Sequence, residues 1–429
     1  MAVGLGKWIV VFSMLIFCAS AQSATYGGGS GTTEDPYQIW TAEQMNTIGV
    51  NSTDWSKHFK LMANIDMSVY PGTLYKVIGN LNTNFTGIFD GNGHTISNFT
   101  YQSVNNNSIG LFGCVYDVNA IIKDLDLINS NVNGGTGDRI GSLVGFLGSG
   151  IIRGCSVKNG TLSGDDNIGI LVGWNSGLIE SCYTSGTVSG DERVGGLVGE
   201  NWDGRILNSH ARTFVSGHSY IAGLVGHSHS GMIERSSAIG DVAGTDYATG
   251  GLVGENWSVI RSCFTTGTTV GYYATGGLMG SDFGTVSNCY AGGTVQGTFN
   301  DAGGLLGKSS GLVSNCYATT KVSGNGTVGG LVGENAFASY SKCFWDKTVN
   351  PDLNGIENTT DPNVVGKTTI EMLTESTFTD AGWDFIEIWD IGESQTYPYL
   401  RVYSAGDLNH DHSTNFVDFV IFTDHWLEN

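Results

Sequence analysis

Apolar residues recur along most of this chain in short runs punctuated by glycine. Gly-Leu-Val-Gly or a near copy ends at Gly113, Gly145, Gly173, Gly199, Gly226, Gly254, Gly280, Gly307 and Gly333, at spacings of 26 to 32 residues. A column of small residues runs in phase with it: Cys155, Cys182, Ser209, Ser236, Cys263, Cys289, Cys316 and Cys343. Three positions earlier stand Ile152, Ile179, Ile206, Ile233, Ile260, Val286, Val313 and Tyr340, and six positions later Val188, Val215, Val242, Val295 and Val322. A fixed period of this kind marks a repeat architecture, in which each unit buries its apolar face only by stacking on its neighbours.

The repeats act as an internal alignment. Leu holds its position in all nine copies, from Leu111 to Leu331, which predicts a core ladder. The Cys position accepts Ser, which predicts a small buried niche. The apolar stretches are β-branched and too short for helices, so each period reads as three short strands joined by glycine-rich corners. The expected fold is all-β: a single-stranded parallel β-helix (β-solenoid) of about nine coils of roughly 27 residues. The crossover rule for parallel strands favours right-handed coils.

The flanks divide the rest of the chain. Residues 1–21 read as a secretory signal peptide: Lys7, the apolar run Trp8 to Phe17, then Ala19-Ser20-Ala21. Residues 22–84 are expected to form an N-terminal cap region, 85–345 the solenoid, 346–403 a C-terminal cap, and 404–429 a separate tail. Within the first cap, Trp40-Thr41-Ala42-Glu43-Gln44-Met45 predicts a helix start with Thr41 as its cap and Gln44 reaching back. Gly366-Lys367-Thr368 fails as a phosphate loop, because Asp361 stands where that motif needs its first glycine.

Composition agrees with this reading. Gly contributes 65 of 429 residues and Pro only 5, while hydrophobic residues make up 40%. That mixture suits many strands and turns rather than disorder. The net charge of −21 disfavours nucleic acid and anionic membranes and suits a secreted, calcium-tolerant protein. After the leader no apolar stretch is long enough to span a bilayer, so the expected location is extracellular or at the cell surface, as a monomer. Seven cysteines remain beyond the leader, and six share one column, where parallel Cβ vectors suit a disulfide poorly. They are expected to stay as buried thiols.

Gly-Gly-Leu-Val-Gly-Glu-Asn at 195–201, 250–256 and 329–335, with Asn-Cys-Tyr at 288–290 and 315–317, resembles the GLUG repeat of bacterial secreted and surface proteins, adhesins among them. The resemblance covers about residues 110–345 and implies a parallel β-helix, with no single activity attached. The tail Asp407-Leu408-Asn409-His410-Asp411-His412-Ser413-Thr414-Asn415-Phe416-Val417-Asp418 has oxygen ligands at the spacing of a calcium loop. Asp407, Asn409 and Asp411 supply side-chain oxygens, Ser413 a carbonyl, Asn415 a water-mediated contact, and Asp418 closes the shell. A helix is expected over Phe416 to Leu427. The tail resembles one half of a type I dockerin, which implies one calcium site and a cohesin-like partner. It departs from that pattern in having a single loop, and His412 where the turn favours glycine.

Two functional classes remain open. Trp174, Trp202 and Trp257, with Phe283, follow the Gly-Leu-Val-Gly unit, and aromatic side chains along an open face suit sugar rings. This favours a non-enzymatic adhesive or structural rod binding carbohydrate or a cell surface. The alternative is a polysaccharide lyase or glycoside hydrolase on the same fold, which would need clustered carboxylates that break the repeat. Glu200, Glu255 and Glu334 recur in register and read as scaffold, and Asp165, Asp166, Asp191 and Glu192 as turn residues. The one local anomaly is His210, His218, His227 and His229, where His227 and His229 replace a Glu and a Trp. No catalytic residue is assigned.

Overall fold

The computed structural model describes residues 25–401. The residues expected to form a calcium loop, Asp407, Asn409, Asp411, Ser413, Asn415 and Asp418, the predicted tail helix and the predicted leader with Cys18 lie outside the described residues. The described chain winds into a parallel β-solenoid with four sheets, here numbered I to IV. One coil shows the course: Val198–Asn201 in sheet III, Arg205–Leu207 in sheet I, His210–Gly217 in sheet II and Ser219–Ala222 in sheet IV. The next coil begins at Val225, and every pairing in these four sheets is parallel and links neighbouring coils.

Sheet I contains twelve strands and sheet III nine, so the rod has about 11 turns rather than nine. The additional coils lie at the N-terminal end. Tyr37–Ile39, His58–Leu61 and Ile88–Asp90 stack in register beneath Ile121–Lys123. They lack the Gly-Leu-Val-Gly marker, and the parallel ladder therefore starts inside the stretch expected to be cap. A second difference concerns the corners. The stretch before each Leu, read as a glycine corner, forms a fourth set of short strands, sheet IV, from Ile168–Gly169 to Val328–Gly329.

The core follows the columns read from the sequence. All nine repeat leucines are fully buried, as is the isoleucine column from Ile152 to Ile260. The second glycine of the motif is explained by close approach. At Gly199 a Cβ would lie 2.4 Å from the carbonyl carbon of Asn167 in the coil below, and at Gly226 2.5 Å from that of Arg193. No side chain fits there, so the motif keeps glycine where two coils touch. The residue before the Cys column bends left-handed at successive corners, with φ of 47° at Asn208, 53° at Asn288 and 50° at Asn315. Asn tolerates that conformation better than most residues, which accounts for the recurring Asn-Cys pair.

All seven cysteines of the described chain are buried free thiols. The Cys289 Sγ donates to the Ser287 carbonyl at 3.1 Å and accepts from the Cys263 backbone N–H at 3.4 Å. Burial pushes the Cys182 thiol up to about 12 and Cys114 to about 11, so the reactive thiolate is suppressed in the folded protein. Thiol titration of unreduced, denatured, leader-free protein is expected to find seven reactive groups. One thiol or none would contradict this arrangement.

Both ends are closed, by different means. At the start, the Gly27 N–H donates to the Gln38 carbonyl, the Gln38 N–H donates to Gly28, and the Tyr26 ring packs on Phe59. Helix α1 (Ala42–Val50) buries Met45 and Ile48. Its cap differs from expectation in one contact: Thr41 accepts from the Gln44 backbone N–H, but the Gln44 side chain accepts from Trp40 rather than from Thr41. At the far end the chain divides its work. Val364–Lys367 adds a strand beside Cys343–Asp346, and Ile356 bridges to Val332. Residues 369–401 then lie along the outer face of sheet II. There Trp383, Trp389 and Phe378 pack on the aromatic column Phe264, Tyr290, Tyr317 and Phe344. Gly366 and Lys367 end a strand that leads into the short helix α2 (Thr369–Met372), where Thr368 and Glu371 form a reciprocal capping box.

Candidate ligand-binding groove

The candidate site arises at the corner between sheets III and I. Following Val115 and Leu147 of the first two strands, seven of the nine sheet III strands end in a polar residue at one register position: Asn175, Asn201, Ser228, Asn256, Asp282, Ser309 and Asn335. The first six are fully or almost fully buried. Asn175 Nδ2 donates to Asn201 Oδ1 at 2.7 Å, Asn256 Nδ2 to Asp282 Oδ1 at 2.8 Å, and Ser309 Oγ to Asp282 Oδ2 at 3.3 Å. This buried polar ladder fixes the corner, and the next residue of each coil turns out toward solvent.

Corner length then shapes the surface. Two residues connect Asn256 to Val259, Asp282 to Thr285 and Ser309 to Leu312, whereas three connect Ser228 to Met232 and Asn335 to Ser339. Three consecutive short corners leave a depression between two longer ones. The resulting open groove has a volume of about 430 Å³. Stacked Trp257 and Phe283 give it an aromatic wall, and its lining also includes Val259, Thr285 and Leu312 at the starts of sheet I strands and Ser258, Gly284 and Gly311 of the corners. Trp257 is 51% exposed and Leu312 58%. The Trp257 indole N–H donates to Glu255 Oε1 at 2.9 Å, which sets the ring's orientation.

The three tryptophans singled out in the sequence do not form one surface. Trp257 stacks on Phe283, with ring centroids 4.2 Å apart and planes 11° from parallel. Trp202 belongs to a different stack, against His229 at 4.1 Å and Trp174 at 6.5 Å. Trp174 lies on the strand itself, paired with Glu200 rather than with Trp202, and stacks on Phe146 at 4.6 Å. Within that longer stack, neighbouring rings cover one another's faces. The groove wall differs because the corner above Phe283 carries only Ser310 and Gly311.

Of the four histidines, only His227 and His229 are neighbours, with ring centroids 6.3 Å apart. His210 lies on sheet II beside Ser237 Oγ at 2.9 Å, and His218 at another corner near Asp246 at 3.6 Å. His227 sits in sheet III between Glu200 and Glu255, its Nδ1 3.3 Å from Glu200 Oε1 and its Nε2 3.6 Å from Glu255 Oε1. Burial acts to lower its pKa, but the hydrogen bonds and charges of the two carboxylates outweigh that and raise it above the ordinary value. The imidazole thus separates two carboxylates that recur in register, and the same column continues through uncharged Ser281 to the Lys308–Glu334 pair at 3.0 Å. Asp165, Asp166 and Asp191 come together with carboxylate oxygens within 4.8 Å at a further corner, where burial and the Glu192 charge push Asp166 upward.

No family model matches the chain. A stretch of 174 residues is 34% identical to halomucin of Haloquadratum walsbyi, covering 38% of this chain and 2% of halomucin. Another comparison finds 35% identity over 157 residues with a "Putative Gly-rich membrane protein" of Evansella cellulosilytica, covering 35% of this chain and 18% of that protein. The chain thus spans a small fraction of either relative. A solved structure titled as a "putative immunoglobulin A1 protease" from Bacteroides ovatus aligns over 88% of this chain and 95% of its own, with 17% identity and a TM-score of 0.33. No described helix is long and apolar enough to cross a membrane.

Proposed function

We propose that this protein is an extracellular or surface-attached rod that binds polysaccharide through the Trp257–Phe283 groove. The observation that carries the reading is the groove itself, in which the stacked Trp257 and Phe283 rings share one lining with Thr285, Ser310 and glycines. Aromatic rings pack against the apolar faces of sugars, and small hydroxylated residues meet their polar edges. Placement at the cell surface draws support from the leader-like N-terminus, the acidic composition and the resemblance to GLUG repeats. The relative named as a membrane protein points the same way. The dockerin-like tail would attach the rod to a cohesin-like partner, with calcium held by Asp407, Asn409, Asp411, Ser413 and Asp418.

The test is retention of the leader-free chain on a panel of immobilised polysaccharides. Trp257→Ala is expected to weaken binding about tenfold, the loss of about 1.4 kcal/mol of contact. Trp174→Ala and Trp202→Ala are expected to change it less than about twofold, the few tenths of a kcal/mol of a peripheral site. Equal affinity of Trp257→Ala and the parent chain for every polysaccharide would refute the assignment.

A further inference from the structure

We infer that the groove takes a neutral, extended glycan chain lying parallel to the rod axis; this rests on the carbohydrate reading above and narrows it. Direction follows from construction. The groove crosses successive coils: Trp257-Ser258, Phe283-Gly284 and Ser310-Gly311 are its three short corners, and Ser230-Gly231 of the longer corner 229–231 lines one end, so four coils contribute. Neighbouring coils are spaced by about 4.8 Å, so four corners span about 14 Å. A sugar unit in an extended chain advances by roughly one such step, which lets each coil meet one unit. The longer corners 229–231 and 336–338 bound the depression at its two ends.

The lining sets the charge of the ligand. None of the groove residues is charged, although the chain carries a net charge of −21. Two carboxylates lie behind the lining, and both are engaged: Glu255 holds the Trp257 indole N–H, and buried Asp282 accepts from the Gly284 N–H. A polyanion such as a uronic-acid polymer would meet a like-charged surface and find no cation in the groove to pair with it. A polycation would find no carboxylate in the lining.

An extended peptide is disfavoured for a separate reason. Peptides that dock along a sheet use unpaired backbone groups, and the corner amides here are already engaged. The Trp257 N–H donates to Ser228, the Phe283 N–H to Asn256 and the Ser310 N–H to Asp282. The Ser258 and Gly284 N–H groups donate to the side chains of Asn256 and Asp282. What remains for a ligand is the open side of the aromatic stack, hydroxyl lone pairs and the apolar edges of Val259 and Leu312. These groups match a neutral sugar chain.

The experiment is calorimetric titration of the leader-free chain at physiological salt with neutral cello-, xylo-, manno- and laminari-oligosaccharides from dimer to hexamer. Oligogalacturonates of the same lengths are titrated alongside. At least one neutral series is expected to gain affinity up to about the tetramer, the length of four rungs, and then to level off. Phe283→Ala is expected to reduce that affinity about tenfold, and oligogalacturonates to bind at least about tenfold more weakly. The thermal transition of the variant checks that it is folded, and Phe283→Tyr, which keeps the ring, is expected to retain binding. Oligogalacturonates that bind as tightly as the neutral series, and lose affinity in Trp257→Ala, would overturn neutrality while leaving the carbohydrate reading standing. Affinity that keeps climbing to the hexamer would overturn the bounded groove. Absence of binding by both series, together with no retention on any polysaccharide, would overturn both proposals.

Discussion

Asp282→Asn is expected to stabilise the protein at pH 8 by about 3 kcal/mol and to leave its stability at pH 3 nearly unchanged. Asp282 is 1% exposed and stands in the inward ladder where Asn occupies the equivalent place at 175, 201, 256 and 335. Burial raises its pKa from 3.8 to about 6, against the opposing pull of hydrogen bonds from Asn256, Gly284 and Ser309. A group whose folded pKa lies above its unfolded value favours the fold while protonated. That contribution is complete below pH 3.8 and is lost as pH rises through about 6. Above that, folding carries the cost of holding a carboxylate in the core. Asn keeps the acceptor for Asn256 and Gly284, replaces the second oxygen by an N–H₂ that can donate to Ser309, and carries no charge. Chemical denaturation of both proteins across this pH range would show the two stability curves diverging between pH 4 and 7. Parallel curves would mean that Asp282 does not ionise at a buried position.

The second large effect is expected from the leucine ladder. Leu252→Ala removes a fully buried side chain whose rung lies between those of Leu224 and Leu278, both also fully buried. The cost is expected to be about 3 to 5 kcal/mol, since the coils above and below cannot close over the space. A solenoid holds together through contacts between neighbouring coils, so a lesion at mid-rod also weakens the coupling of its two halves. Denaturation of Leu252→Ala is therefore expected to broaden or split, whereas Leu252→Met, which keeps the volume, should cost less than about 1.5 kcal/mol. A single sharp transition with a loss below about 1 kcal/mol would show that Leu252 is not a closely packed rung.

The middle of the fold was legible because the chain repeats itself. Leu at every copy and Cys alternating with Ser reported burial directly, and the structure places both columns inside. The first two coils were not legible, because Tyr37–Ile39 and His58–Leu61 keep the strand geometry of sheet I without the glycine marker, whereas Ile88–Asp90 falls inside the stretch expected to be solenoid. Sheet IV was hidden for the opposite reason: its strands are made of the glycines and small residues that ordinarily signal corners. The role of the last described segment had a signal in the sequence. Cys-Phe or Cys-Tyr at 263–264, 289–290, 316–317 and 343–344 puts an aromatic column on the outer face of sheet II, and that column is what the segment covers.

The groove was half legible. Nearness to Gly-Leu-Val-Gly grouped Trp174 with Trp202 and Trp257, yet Trp174 follows its glycine by one residue and the other two by three. That two-residue difference keeps Trp174 on the sheet III strand, in register with Glu200, and carries Trp202 and Trp257 past the strand end onto the corner. Counting residues between the inward Asn column and the next strand would have separated them and revealed the three short corners. The His227 bridge to Glu200 and Glu255 needed the register, since only stacking brings positions 27 or 28 residues apart into contact.

Hydroxyl-radical footprinting of the leader-free chain reads from side-chain exposure where a glycan lies on the rod. Saturation with a bound neutral polysaccharide is predicted to protect Trp257, Phe283 and Leu312 from oxidation. Exposed aromatics elsewhere, Trp40 and Phe214, should react as before. Protection of Trp202 and His229 with Trp257 and Phe283 unchanged, or no protection at any of these residues, would contradict binding in the groove.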